Sequence, residues 1–422
     1  MREMKDSGIA WIGVIPQDWE IVRTKSLYYS AKEIAGDRAD DFERLALTLN
    51  GVIKRSKEDS VGLQPEKFSG YQILKKGELV FKLIDLENVA TSRVGLSPYT
   101  GIVSPAYIVL SKQSRAKDLV VRYSMYHFLS MWQREIFNQM GDNGVRSSLN
   151  AKELLNIPHP FPSIYEQKRI VTFLDAQCAE IDAVLEKTRA SIEEYKKLKQ
   201  AVITQAVTKG VRGDRPMKDS GIEWIGDIPA EWDVIRVKQL LKERNERSKE
   251  GKEEPLSMSQ KVGLVPTKFL ESIPNMASSF VGAKLAYVDD LVFNKLKAHL
   301  GVFSVSRYDG LVSPDYAVYC STGKSNLKYL EYIFKTPQCI GEFRKKSTGI
   351  AAGLMRLYTE GLFSIYLPYP ALSEQEEIAE YLNEKCAGID ALIVKKQQYL
   401  TEIENYKKSL IYEYVTGKKE VV

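Results

Sequence analysis

The sequence predicts an α+β chain built as a pseudo-two-fold internal repeat: two mixed α/β domains, each followed by a long helix, with the two helices pairing as a coiled coil. Three observations carry this prediction. Met4–Leu27 (MKDSGIAWIGVIPQDWEIVRTKSL) returns at Met217–Leu240 (MKDSGIEWIGDIPAEWDVIRVKQL), with 15 of 24 positions identical. A repeat 213 residues apart means two copies of one large unit, not a solenoid of small ones. Glu166–Thr208 then lies without a gap on Glu374–Thr416, matching Glu-Gln, Cys, Ile-Asp-Ala and Val-Thr. Finally, both of these segments carry two rows of apolar residues at heptad spacing, the pattern of a coiled-coil seam.

Taken in order, the opening repeat supplies Trp11 and Trp19 in the first copy and Trp224 and Trp232 in the second. Their recurrence points to framework packing. The blocks that follow read as mixed α/β. β-like runs stand at Gly77–Leu83 and Leu291–Asn294. VGLQPEKF at 61–68 pairs with VGLVPTKF at 262–269, and GIVSPAYIVL at 101–110 with GLVSPDYAVY at 310–319. Ser-Pro followed by alternating apolar residues predicts a turn entering a strand. Tyr107 and Tyr316, which follow these pairs, are expected to support the core. Amphipathic stretches at Val120–Phe137 and Leu327–Phe343 predict one helix late in each block. Proline-rich approaches (IPHPFPSIYEQ and LPYPALSEQ) then stop what precedes and free the next helix to start.

In the first long segment the rows are Leu174, Ile181, Thr188, Tyr195 and Val202, and Val171, Cys178, Leu185 and Ile192. In the second they are Leu382, Ile389, Ile403 and Leu410, and Ala379, Cys386, Ile393 and Leu400. The predicted seam is therefore Leu174, Cys178, Ile181, Leu185 and Ile192 with Leu382, Cys386, Ile389, Ile393 and Leu400. Lys199, Lys396 and Lys407 interrupt the rows. Neither helix has a second copy of itself in its own repeat, so the two are expected to pair with each other. At about 1.5 Å per residue such a helix forms a rod of roughly 65 Å. The layout is block 1–162, helical region 163–212, block 213–372 and helical region 373–422.

Composition narrows the function classes. Apolar residues make up 44% and charged residues 27%, as in an ordinary globular chain. No apolar run reaches the 18 to 20 residues or so of a membrane span, and MREMKDSGIA does not look like a secretory signal. The four cysteines lie far apart, which fits a reducing cytoplasm without disulfides. Net charge is +5; residues 1–162 and 213–372 each carry 22 Lys+Arg against 19 Asp+Glu, whereas residues 373–422 carry 7 against 10. There is no GxxxxGK[ST] phosphate loop, no GxGxxG and no Asp/Asn-Pro-Pro-aromatic methylase motif. His127, His159 and His299 sit in separate contexts, which disfavours a histidine metal site or triad. His127 and His159 read as packed structural residues, and Cys178 and Cys386 as small seam residues. No catalytic residue, cofactor site or metal site is expected in this chain.

The MKDSGIxWIGxIPxxW opening, the GIVSPAY-type motif, the Pro-hydrophobic-x-x-Glu-Gln approach and the EIDAL-like helix together resemble a type I restriction–modification specificity subunit, over essentially the whole chain. The resemblance implies two target-recognition domains, each reading one half of a split DNA sequence, and two helical spacers that pair antiparallel. It further implies two methyltransferase subunits that bind S-adenosylmethionine, and restriction/translocase subunits. This chain would be their non-catalytic DNA-reading scaffold, cytoplasmic and free of membrane. Because the blocks differ, the expected target is asymmetric and bipartite, with rod length setting the spacing. The competing reading is a coiled-coil adaptor with two protein-binding α/β domains.

A DNA reader holds phosphates with Lys, Arg and small hydroxyls, and reads base edges with Arg, Lys, Asn, Gln or Ser. Candidates in the first block are Lys54 and Arg55 of the KRSK run, Lys82, Arg93, and Arg146, Ser147 and Ser148 of the glycine-rich Gly141–Asn150 loop. In the second block they are Lys295, Lys297 and His299, which strict alternation would place on one strand face, and Arg344, Lys345, Lys346 and Arg356.

Overall fold

The computed structural model describes residues 2–49, 51–59, 67–84, 86, 93–140, 148–260, 262–270, 280–349 and 355–421. The chain forms two compact units, Met1–Arg189 with Gln398–Val422, and Ala190–Gln397. The division falls inside two long helices, Ile164–Lys209 and Leu372–Val415. Each unit thus contains one globular block and a part of both helices.

Within the first unit, Met4–Asp6 and Val14–Pro16 form a small antiparallel hairpin. One four-stranded sheet runs in the order Gly51–Arg55, Arg44–Thr48, Gly101–Val103, Gln72–Leu74. A second runs Tyr28–Tyr29, Ile108–Lys112, Leu79–Lys82, Arg93–Leu96. Val121–Gln133 is the expected helix. Pro158–Phe161 pairs with Glu20–Arg23 just before the long helix begins.

The second unit repeats this plan. Met217–Asp219 pairs with Asp227–Pro229, and Asp233–Arg236 with Tyr366–Tyr369. Its four-stranded sheet runs Leu241–Arg244, Tyr316–Ser321, Leu291–Asn294, Phe303–Val305. Two further pairs are Leu256–Ser259 with Gly263–Pro266, and Lys284–Ala286 with Gly310–Val312. The single helix expected over Leu327–Phe343 is instead two, Leu327–Phe334 and Pro337–Lys346. Pro337 cannot donate to a continuing helix. Thr336 restarts it by accepting from the Cys339 amide at 3.3 Å.

The repeated sequence motifs are explained by matching contacts. Gln167 is fully buried; its side chain accepts from the Val120 amide (2.8 Å) and donates to the Asp118 and Pro162 carbonyls (3.1 and 2.9 Å). Gln375 does the same with the Asn326 amide (2.9 Å) and the Lys324 and Pro370 carbonyls (3.3 and 3.0 Å). The preceding glutamate receives the repeat tryptophan, Trp19 on Glu166 at 2.8 Å and Trp232 on Glu374 at 3.0 Å. Arg2 and Arg215 each pair with that same carboxylate. Glu-Gln therefore ties the start of each long helix to its own globular block.

Part of the predicted seam is packed within each unit. In the first unit Leu174 and Cys178 pack with Leu410, Ile411 and Val415 against Ile12, Ile15 and Trp19, and Ile181 flanks that cluster. In the second, Ile203, Ala206 and Val207 pack with Ile378, Ala379, Leu382 and Cys386. Leu185 and Ile192 are buried, and Ile389, Ile393 and Leu400 half-buried. The helices run antiparallel. Asp182–Lys407 and Arg189–Glu404 order the first unit, and Lys199–Asp390 and Arg212–Glu377 the second, so that contacts step down one helix as they step up the other. Asp182 corresponds to Asp390 in the repeat, and Lys199 to Lys407. Each unit thus contains the same lysine–aspartate pair, with the helix that supplies the lysine exchanged.

Candidate nucleic-acid interface

Some of the candidate residues lie near one turn in each unit: Arg55 and Arg93 act on Tyr107 in the first, and Lys295, Lys297 and Arg356 lie beside Pro314 and Asp315 in the second. In the first, Gly101–Val103 ends at Ser104, whose hydroxyl accepts from the Ala106 amide at 3.3 Å. The Tyr107 amide closes the turn on the Ser104 carbonyl at 3.1 Å. In the second, Gly310–Val312 ends at Ser313, whose hydroxyl accepts from Asp315 at 3.3 Å, and Tyr316 closes on Ser313 at 2.9 Å. Pro105 and Ala106, and Ser313 and Pro314, are exposed, while both tyrosines are half-buried.

A buried polar side chain on the neighbouring strand holds each turn. Gln72, 1% exposed, donates to the Ser104 and Tyr107 carbonyls at 2.9 and 2.6 Å. Lys284, 6% exposed, donates to the Tyr316 carbonyl at 3.1 Å. The two are equivalent by register, Gln72 standing opposite Val103 and Lys284 opposite Val312. Burial pushes the Lys284 ammonium below the usual lysine range, while Glu243, 3.5 Å away, opposes the shift.

Basic groups surround both turns. In the first unit Lys32 donates to the Pro105 carbonyl at 2.8 Å. Arg44 stands directly opposite Arg55, and Lys82 directly opposite Arg93. Facing like charges repel across a strand pair. Asp59 offsets part of this repulsion at 2.7 Å from Arg55. Burial raises the Tyr107 phenol, and Arg93, Arg44 and Arg55 act on it in the opposite sense. Lys54 is exposed, paired with Glu43 at 2.5 Å, and lies over the Tyr99 ring.

In the second unit the Lys295 ammonium lies 3.4 Å from the Pro314 carbonyl, and Arg356 pairs with Asp315 at 3.5 Å. Lys297 lines a cavity of about 710 Å³ together with Gln260, Asn294, Ser313, Pro314 and Tyr316. The predicted strand face of Lys295, Lys297 and His299 does not form. The strand ends at Asn294, whose side chain accepts from the Leu296 amide at 3.1 Å while its carbonyl accepts from Lys297 at 3.0 Å. A 3-10 turn over Ala298–Leu300 follows, and His299 is buried at 8% exposure.

Arg344, Lys345 and Lys346 form the last turn of Pro337–Lys346, where cations offset the helix dipole. Lys345 is paired with Glu342 at 2.7 Å. Ser148 is exposed and bridges Ile84, while Arg146 and Ser147 lie outside the described residues. Sequence reasoning missed Lys32, Arg44, Gln72 and Lys284. The available signal was a polar residue heading an apolar strand at matching places in both copies, QIL and KLA. Among the described residues no cluster of three or more His, Cys, Asp or Glu could hold a metal ion, and no helix is long and apolar enough to cross a membrane.

A scan against protein-family models finds no match. Two proteins of Methanocaldococcus jannaschii align over nearly the full chain. The type I restriction enzyme MjaVIII specificity subunit is 24% identical over 96% of this chain and 94% of its own length. The putative type I restriction enzyme MjaX specificity subunit is 25% identical over 97% and 96%. The Escherichia coli EcoDI specificity subunit is 22% identical over 69% of both chains. In fold, the chain matches one solved in work on complex assembly and conformational transition of the type I R-M system (TM-score 0.70, 13% identity, 96% of this chain and 99% of that one). It also matches the HsdS subunit from Thermoanaerobacter tengcongensis (TM-score 0.50, 14% identity, 96% and 98%).

Proposed function

We infer that this chain is the DNA sequence-specificity subunit of a type I restriction–modification complex and reads an asymmetric bipartite target. The observation that carries the reading is the contrast inside the duplication. The Glu-Gln ties, tryptophan anchors and seam are the same in both units, whereas the residues round the Ser-Pro-x-Tyr turns differ. A common frame bearing two different basic surfaces is what two dissimilar half-sites require. The full-length relationship to named specificity subunits agrees with it.

The chain scaffolds two methyltransferase subunits and, for restriction, endonuclease/translocase subunits. Beside the seam each unit leaves apolar side chains exposed on the helices: Val184, Tyr399 and Tyr406 in the first, Leu198, Leu392 and Val394 in the second. Such rows suit a helical partner. Catalysis, and S-adenosylmethionine, belong to the methyltransferase partner, and the assembly works on DNA in the cytoplasm. DNA affinity falls steeply with salt, because phosphate neutralisation dominates such binding.

The test is adenine-methylation mapping in a host expressing the chain with its methyltransferase subunit. A new asymmetric split motif is expected. A complex that assembles yet methylates no new motif would favour the protein-binding adaptor instead.

A further inference from the structure

We propose that the Ser-Pro-x-Tyr turn is the element of each unit that touches DNA, and that Gln72 and Lys284 are the positioning residues that hold it at the right height. The proposal rests on the DNA-specificity reading and names the part of each surface that performs it. Convergence is the first argument. Side chains from separate chain segments meet the turn: Lys32 and Gln72 in the first unit, Lys284, Lys295 and Arg356 in the second. All but Gln72 are cationic. The second argument is exposure, since the turn tips Pro105 and Pro314 are open to solvent inside that positive surround. Chemistry supplies the third. A serine hydroxyl and flanking cations are groups that grip phosphate and fix register.

The positioning role follows from burial. An amide side chain or an ammonium taken out of water needs a partner, and both residues find theirs in carbonyls of the turn. Gln72 and Lys284 differ in charge yet occupy the same register and bind the same tyrosine carbonyl, Tyr107 or Tyr316. The shared property is hydrogen-bond donation to the turn, and the charge of Lys284 is met separately by Glu243, 3.5 Å away.

The experiment uses the full chain with its methyltransferase subunits and reads both halves of the methylated motif. Gln72→Met is expected to relax one half at least tenfold, and Lys284→Met the other half, leaving the remaining half intact each time. Lys284→Gln, which installs the first unit's solution in the second, is expected to restore the wild-type motif. A merely structural loss would blur both halves or lower the amount of assembled complex. Should the methionine variants fail to fold, Pro105→Glu and Pro314→Glu at the exposed tips take their place. Each should cut recognition of its own half at least tenfold by setting a carboxylate against phosphate. Unchanged motifs in the methionine or glutamate variants, or a Lys284→Gln variant as impaired as Lys284→Met, overturn the proposal. Absence of a split motif with the wild-type chain would instead sink the DNA reading itself.

Discussion

The two units solve one packing problem with opposite chemistry. In the second, Leu330, Ile333 and Leu367 are fully buried beneath Tyr329, whose hydroxyl donates to the Pro368 carbonyl. In the first, Tyr123 makes the equivalent bond to Pro160, and the matching positions are Ser124, His127 and His159, all at most 1% exposed. His159 Nδ1 lies 2.7 Å from the Pro160 carbonyl, so it must carry the proton, and Nε2 accepts from the Ser124 hydroxyl at 2.9 Å. The His127 ring lies tilted 54° to that of His159, 4.5 Å centroid to centroid. The lesson is that this frame does not depend on a particular core. It is held by the Glu-Gln ties and the seam, and each block is free to diverge behind them.

The strongest test of a common frame is to cut the same tie in each unit. Gln167→Leu leaves one amide and two carbonyls without partners, and Gln375→Leu does likewise in the other unit. Unpaired buried groups cost about 1–3 kcal/mol each and those near the surface less, so a loss of about 3 kcal/mol is expected in the affected unit. Urea unfolding followed by hydrogen exchange, peptide by peptide, would show it. Equal losses in the two units support the common frame; a large loss in one and little in the other breaks it.

Acid should separate the units next. Burial pushes His159 down to about 4 and His127 well below its ordinary value. Between the folded and unfolded values the unfolded chain binds more protons, so stability rises with pH there. The contribution is present above about pH 6.5 and is lost as pH falls towards 4. For His159 alone it is about 3 kcal/mol. No aliphatic residue at the matching positions of the second unit titrates. At pH 5 the first unit is expected to lose amide protection before the second, and the triple variant Ser124→Leu, His127→Ile, His159→Leu to abolish that order. Simultaneous loss in both units would count against the histidine pair as the cause.

What could be read from sequence was periodic or repeated. Heptad rows and the duplicated Glu-Gln announce themselves through spacing, and Leu291–Asn294 shows as an apolar run. The Lys295, Lys297 and His299 row misled because alternation assumes a strand that continues, and Asn294 ends it with its own side chain. Arg44, Gln72 and Lys284 escaped notice because buried polar residues in strands are recognisable only by the partner they meet. For Gln72 and Lys284 that partner is a carbonyl over thirty residues away, which has no local signature.

The smallest effect concerns Lys199 and Lys407, which look like flaws in the heptad rows. Each reaches across to an aspartate on the other helix, Asp390 and Asp182, at 2.6 Å. Both pairs are partly exposed to solvent, so each contributes only about 0.2–1 kcal/mol. Stability is therefore a poor reason for placing lysine in a seam. Register is a better one, because a polar residue at a core row specifies alignment and partner at some cost in stability. Lys199→Leu with Lys407→Leu would complete the apolar rows. The double variant is expected to melt no lower than wild type, and to self-associate as concentration rises because its seam no longer prefers one alignment. Thermal melting and light scattering over a concentration series decide the point. A variant that melts several degrees lower while staying monomeric would make the two ion pairs stabilising contacts in their own right, and leave alignment to the apolar residues alone.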